Sequence, residues 1–125
     1  MIYGIGTDLV QVTRMQDNID RYGDKFARRV LTRREFDEYC GQQQPAHFLA
    51  KRFAAKEATA KAMGIGFSKG LSLRHIGVRH DELGKPYIEY TGKGKELYHK
   101  YGITECHVSI ADECDYAIAF VTLLT

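Results

Sequence analysis

Two acids and a lysine stand out as groups that could do chemistry. Asp8 lies inside an apolar run, residues 2–10, that reads as a β-strand. Aspartate is disfavoured in strands, and a carboxylate half-buried among apolar neighbours needs a partner. Gly4 and Gly6 share its face, while Tyr3, Ile5, Thr7 and Leu9 share the other. Two glycines strip side-chain bulk from the acidic face, so the pattern predicts a close approach to the Asp8 carboxylate. An aspartate that caps a nearby backbone group is the competing reading. Glu57 and Lys61 are four residues apart and in line with Phe53 on what reads as one long helix. That spacing also describes an ordinary surface ion pair, worth about 0.2–0.5 kcal/mol. Two features argue for more: the line shares a half-buried face with Phe53, and Lys61 stands just before a glycine-rich stretch, Gly64-Ile65-Gly66-Phe67-Ser68-Lys69-Gly70. Backbone amides in such a loop can approach an anion.

Two carboxylates from different elements, a lysine and a glycine-rich loop suit a magnesium–pyrophosphate site. Magnesium takes hard oxygens, usually one or two carboxylates, and fills its shell with water and substrate phosphate. The lysine neutralises phosphate as a point cation. His107 and Ser109 share a strand face and could together meet a phosphate or a hydroxyl, although a strand histidine bonded to backbone fits the pattern as well. No GxSxG, P-loop or HExxH motif is present, and nothing suggests a protein nucleophile. The three cysteines, Cys40, Cys106 and Cys114, are widely spaced and form no CxxC pair, which reads as free thiols in a reducing compartment. A zinc site from Cys106, His107 and Cys114 matches none of the usual ligand spacings.

The elements that must position these groups follow from capping and periodicity. Thr13-x-x-Gln16 reads as a capping box that opens a helix near Arg14, with Met15, Ile19 and Tyr22 inward and Gly23 as its stop. Arg14, Asn18, Arg21 and Lys25 form a second, polar stripe with three cations. A short helical segment over 26–30 follows. Thr32-x-x-Glu35 is a second capping box, with Leu31 and Phe36 placed as a hydrophobic staple and the helix running to about Cys40. Pro45 suits a first helical position, and from there to Met63 no glycine or proline intervenes. Strands are predicted over 76–80 and 87–90, a helix over 93–101 with Leu97, Tyr98 and Tyr101 inward, and a closing hairpin over 106–111 and 116–124. The last strand is apolar on both faces, so it should be central or covered twice. This order predicts a single α+β domain spanning residues 1–125, with helices packed on a mainly antiparallel sheet.

The bulk numbers agree. The 125 residues are 44% hydrophobic and 27% charged, which is globular. A net charge of +2 does not point to nucleic acid. No stretch approaches a membrane span and no signal peptide is visible after Met1, so the expected address is the cytoplasm.

The motifs together resemble those of holo-acyl-carrier-protein synthases, small phosphopantetheinyl transferases. They are Gly4-Ile5-Gly6-Thr7-Asp8-Leu9-Val10, Phe26-Ala27-x-Arg29-Val30-Leu31-Thr32, the run from Phe48 to Ala58 with Lys61, Gly84-Lys85-Pro86 and His107-Val108-Ser109-Ile110. The resemblance covers essentially the whole chain. It implies an α+β fold, a homotrimer, and coenzyme A held between subunits, with its phosphopantetheine passed to a serine of acyl carrier protein in support of fatty acid biosynthesis. It makes Asp8 and Glu57 the ligands of a Mg2+ ion and Lys61 the lysine beside the pyrophosphate. Gly64, Lys85, Pro86, His107 and Ser109 would contact coenzyme A, and Arg14, Arg21, Lys25 and Phe26 would dock the carrier. Lys25 stands where the family often has arginine, so charge is kept and the planar fork is lost. Two other classes compete: a non-catalytic oligomeric module that binds an acidic partner through Arg14 and Arg21, and a magnesium-dependent pyrophosphate hydrolase.

Overall fold

The structure, a computed structural model, describes all residues 1–125. A long strand, β1 (Ile2–Gln11), runs directly into α1 (Val12–Tyr22). Three further helices follow: α2 (Asp24–Val30), α3 (Arg33–Tyr39) and the 19-residue α4 (Pro45–Met63). A 3-10 turn (Leu73–His75) leads into the hairpin β2 (Ile76–His80) and β3 (Pro86–Tyr90). Helix α5 (Gly92–Lys100) and the strands β4 (Glu105–Asp112) and β5 (Tyr116–Leu124) complete the chain. The α+β expectation holds: one antiparallel sheet has the order β1-β5-β4, and β2 pairs with β3 in a second.

Helix α4 is the axis of the molecule. It is buried on most sides, with Leu49, Ala50, Ala54, Ala55, Ala58 and Ala60 fully enclosed. Alanine on every face lets neighbours approach closely. A Cβ added to Gly4 would run into the carbonyl oxygen of Ala62, and one added to Gly6 into that of Ala58. The two glycines therefore clear space for the helix backbone. This gives the predicted close approach its cause: α4 itself lies along the face that carries Asp8.

β5 is central, as its composition predicts. Ala117, Ala119, Val121 and Leu123 pack beneath α4, each at most 1% exposed. The opposite face of the sheet is uncovered in the single chain. Tyr3, Ile5 and Leu9 of β1 and Tyr116, Ile118 and Phe120 of β5 are 38–62% exposed there.

The Thr32–Glu35 capping box forms in full: Thr32 N–H donates to Glu35 Oε1 (2.8 Å) and Glu35 N–H to Thr32 Oγ1 (3.2 Å). Leu31 and Phe36 are both buried beside it. The Thr13–Gln16 box does not form. α1 begins at Val12 with Gln11 at its N-cap and no side-chain cap, because the Val12 amide is already spent on the Asp115 carbonyl (2.8 Å) as the chain leaves the sheet. Met15 is fully buried, but Tyr22 is 53% exposed and outside the stripe assigned to it. No helix is long and apolar enough to cross a membrane.

Candidate functional site

β1 delivers Asp8 and α4 delivers Lys61 to the same point. Lys61 Nζ donates to Asp8 Oδ1 (3.0 Å) and to the Thr7 carbonyl (3.0 Å). The Asp8 side chain is 16% exposed and the Lys61 side chain 51%, so the pair lies at the edge of the packed interface. Lys61 forms its ion pair with the strand acid; the helix acid four residues before it is not its partner. The surface-pair reading of Glu57 and Lys61 is thereby replaced.

Glu57 is half-buried one turn above. Burial first, and then the charge of Asp8, push its carboxyl above the ordinary 4.5; Lys61 and Arg14 pull the other way. Two carboxylates close enough to repel, with a half-exposed lysine on one of them, are an acidic pair that a divalent cation would relieve. The donor set fits such an ion. Both groups offer hard oxygens, and no cluster of three or more His, Cys, Asp or Glu side chains gathers in the chain. A hard cation held by two carboxylates fills its remaining positions with water and phosphate oxygen. The three cysteines are free, with Cys106 accepting from the Tyr90 hydroxyl (3.2 Å), and no zinc set forms around them.

The α1–α2 residues close one side of this acidic pair. Arg14 lies over the Phe53 ring (5.7 Å) and acts electrostatically on Glu57. A groove of about 610 Å³ runs beside it, lined among others by Asn18, Lys25, Phe26, Phe53, Phe67 and Leu71. Lys25 and Phe26 thus line the same groove as Phe53, the residue one turn before Glu57. An all-polar extension of about 560 Å³ is lined by Lys25, Arg28, Arg29, Ser72 and Arg74. Arg21, in the last turn of α1, is exposed and without a carboxylate at ion-pair distance.

The glycine-rich stretch is placed differently from its expected use. Gly64 adopts a left-handed conformation (φ 84°) and closes α4. Its amide bonds the Lys61 carbonyl (2.9 Å) and that of Gly66 bonds Ala60 (3.2 Å), so these two donors are committed to the helix end. What Gly64 offers a ligand is room, since a Cβ there would meet nothing within 4 Å.

The Gly84-Lys85-Pro86 turn, held by the Asp81 carboxylate through the amides of Leu83 and Lys85, borders a separate cavity of about 350 Å³. Lys51, Arg52, His80, Gly84 and Pro86 line it. Lost hydration and then Arg52 hold the His80 imidazole below the ordinary 6.5, while Glu38 opposes them. His107 and Ser109 join neither group within one chain. They lie on the uncovered sheet face, opposite Thr122 and Phe120, where His107 Nε2 meets Glu105 Oε2 (3.0 Å).

A buried ionic cluster went unread in the sequence. Lys56, fully buried, donates to Glu35 Oε1 (2.7 Å) and to the carbonyls of Leu73 (3.0 Å) and Ile76 (2.6 Å). Burial pushes its amine below the ordinary 10.5, against the pull of Glu35. Arg52 is 5% exposed, faces Glu35 and Glu38, and lies on the Phe48 ring (4.3 Å). The only sequence signal was the second function of Glu35, since a capping-box acid can serve partners beyond its own helix.

The family model of the 4′-phosphopantetheinyl transferase superfamily matches residues 4–121. The chain belongs to that superfamily. Among its relatives, the holo-[acyl-carrier-protein] synthase of Nitrosococcus oceani is 56% identical over 124 residues, covering 99% of this chain and 80% of the relative. A crystal structure of the holo-[acyl-carrier-protein] synthase of Neisseria meningitidis is similar with a TM-score of 0.95 at 43% identity, covering 100% of both chains. The Bacillus anthracis synthase, solved in complex with CoA (3′,5′-ADP), is similar with a TM-score of 0.82 at 35% identity, over 98% of this chain and 96% of that one. In this transferase, then, the strand acid, the helix acid and the lysine stand on a fold shared with synthases.

Proposed function

We propose that the chain transfers 4′-phosphopantetheine from coenzyme A to a serine hydroxyl of apo acyl carrier protein. The products are the holo carrier and adenosine 3′,5′-bisphosphate. The convergence of Asp8, Glu57 and Lys61 beside a cationic, apolar-floored groove carries this reading. The serine hydroxyl gives up its proton to solvent as its oxygen forms a bond to the phosphorus that bears the pantetheine, the bridging P–O bond breaks, and the adenosine bisphosphate leaves with its electron pair. The acceptor brings the nucleophile, so none is needed in this chain.

Asp8 and Glu57 would hold Mg2+, which when bound polarises the pyrophosphate and offsets charge on the leaving group. Lys61 is half-exposed and free to swing from Asp8 to a phosphate oxygen, where its charge is worth most as the transition state develops. Phe53 and the groove wall limit water next to the reacting phosphorus. The nucleotide end would lie toward the Lys85–Pro86 turn and its cavity with Lys51 and Arg52. Arg14, Arg21, Lys25 and Phe26 would receive the carrier; carrier proteins are acidic, and a cationic surface raises encounter rates.

We also read the working form as a homotrimer in the cytoplasm, serving fatty acid biosynthesis. The bare apolar sheet face supports assembly. The placement of His107 and Ser109 on that face supports a site completed by a neighbouring subunit.

Apo carrier, coenzyme A and Mg2+ incubated with the protein should give a carrier heavier by one phosphopantetheine on mass spectrometry. Unchanged mass with several apo carriers would defeat the reading. Coenzyme A split without carrier would mark a pyrophosphate hydrolase, and carrier binding indifferent to Mg2+ and coenzyme A would mark a docking module.

A further inference from the structure

We propose that Arg28 and Arg74 form a second anchor for the carrier, taking an acidic cluster outside its serine-bearing segment, and so set which carriers this chain modifies. The inference rests on the transferase reading above.

Helix α2 carries charge that nothing in the chain answers. Lys25 stands three residues before Arg28 and four before Arg29, and all three are exposed. Like charges at these spacings repel. Asp24, the only acid of α2, is one turn before Arg28 but forms no ion pair with it. Arg29 and Arg74 also lack a carboxylate at ion-pair distance. Arg74 is exposed in the 3-10 turn, and its charge opposes that of the buried Lys56. Arg28 is held in place, with its guanidinium over the buried Phe36 ring at 4.0 Å.

Two open cavities meet at these arginines. The all-polar one of about 560 Å³ is joined by another of about 500 Å³, to which Arg33, Phe36 and Asp37 contribute. Asp37 is the single acid on either wall, against the five cations Lys25, Arg28, Arg29, Arg33 and Arg74. Lys25, Arg29 and Ser72 also line the groove beside Phe53, so the tract continues the surface read as receiving the carrier. Four residues were assigned to that contact, whereas a standard protein–protein interface engages about 20–30 residues a side. The carrier therefore reaches further, and the adjoining cationic tract complements an acidic protein. Position 28 is also the open one in the motif Phe26-Ala27-x-Arg29-Val30. An arginine there adds a contact that the motif does not require, and such a contact separates one carrier from another.

The test measures transfer to apo carrier by the wild type, Arg28→Glu, Arg74→Glu, the double variant and Arg34→Glu. Arg34 is an exposed arginine of α3 that lines neither cavity, so its variant makes the same change in net charge as either single variant. In the double variant KM for the carrier should rise roughly tenfold at low salt, and the gap should narrow as salt is raised. The kcat and the KM for coenzyme A should not change, and Arg34→Glu should stay near wild type. Carriers whose acids outside the serine-bearing segment are changed to Gln in groups locate the partner: for one group, Arg28→Glu should cost little further. An unchanged carrier KM in the double variant would overturn the inference. So would a rise for Arg34→Glu equal to that for Arg28→Glu, which would mark a long-range effect of net charge. A loss that every carrier variant suffers alike would do the same. Inorganic phosphate that raises the Tm of the wild type but not of the double variant at matched ionic strength, with carrier KM unmoved, would make the tract a small-anion site instead. A wild type inactive with all carriers would count against the transferase reading.

Discussion

At the scale of single residues, Asp8 was legible because an aspartate is out of place in an apolar strand, whereas Glu57 is an ordinary helix former marked only by its line with Phe53 and Lys61. The structure pairs Asp8 with Lys61 and lets the Asp8 charge act on Glu57. What spacing could not show is which acid Lys61 serves, since an i,i+4 rule sees only neighbours on the same helix. Lys61 crosses to the strand. Glu57→Gln should lower transfer roughly 100-fold or more, given that even groups supporting metal ligands are worth 10–100-fold. The same variant should not be less stable. The folded carboxyl sits above 4.5, so the folded chain holds this proton more readily than the unfolded one. Folding stability from this group is therefore lost as pH rises through that range. Thermal melts of metal-free protein should show Glu57→Gln gaining on the wild type from acid toward neutral pH. A variant that melts progressively lower across the same range would mean that the carboxylate is a structural partner.

At the scale of elements, the reading succeeded where local signals agreed and failed where distant backbone intervened. Pro45, the uninterrupted run after it and the Thr32–Glu35 box each fixed a helix end, and those ends are found. Thr13 looked like a cap, but a contact from residue 115 had already set the start of α1. The glycines of β1 were read as permitting a close approach beside Asp8, and it is α4 that comes close. Gly6→Ala should therefore destabilise the fold by about 1–3 kcal/mol, as overpacking does, and should separate Asp8 from Lys61 as the helix shifts. Chemical denaturation and metal titration of the one variant check both effects; a fully stable Gly6→Ala would place the helix farther from the strand than described. The Lys56–Glu35 pair was invisible because its partners are 21 residues apart in sequence and belong to separate helices. Removing one member of a buried pair strands the other, so Lys56→Met should lose about 3–5 kcal/mol in the same denaturation assay. A loss below about 1 kcal/mol would indicate that water reaches the site.

At the scale of the molecule, a single chain leaves two things unfinished. One sheet face exposes a row of large apolar side chains, and the strand residues expected to contact coenzyme A lie on that face rather than beside Asp8 and Lys61. Neither fact could be read from alternation alone, because a strand apolar on both faces does not say whether its second cover comes from the same chain. The proposed homotrimer would resolve both together: a neighbour would cover the apolar face and bring its His107 to the coenzyme A held beside the first subunit's Asp8 and Lys61. This arrangement makes a prediction that no monomeric enzyme can satisfy. Asp8→Asn and His107→Ala proteins, each tested alone, should be strongly impaired. Unfolded together and refolded at equal amounts, they should regain activity, because roughly one site in four then pairs an intact Asp8 with a neighbour's intact His107. Mixing without subunit exchange should restore nothing, which guards against trace wild-type contamination. If co-refolded mixtures stay at the mean of the two parents while sedimentation shows mixed oligomers, each active centre is built within one subunit. The exposed apolar face would then need a different occupant.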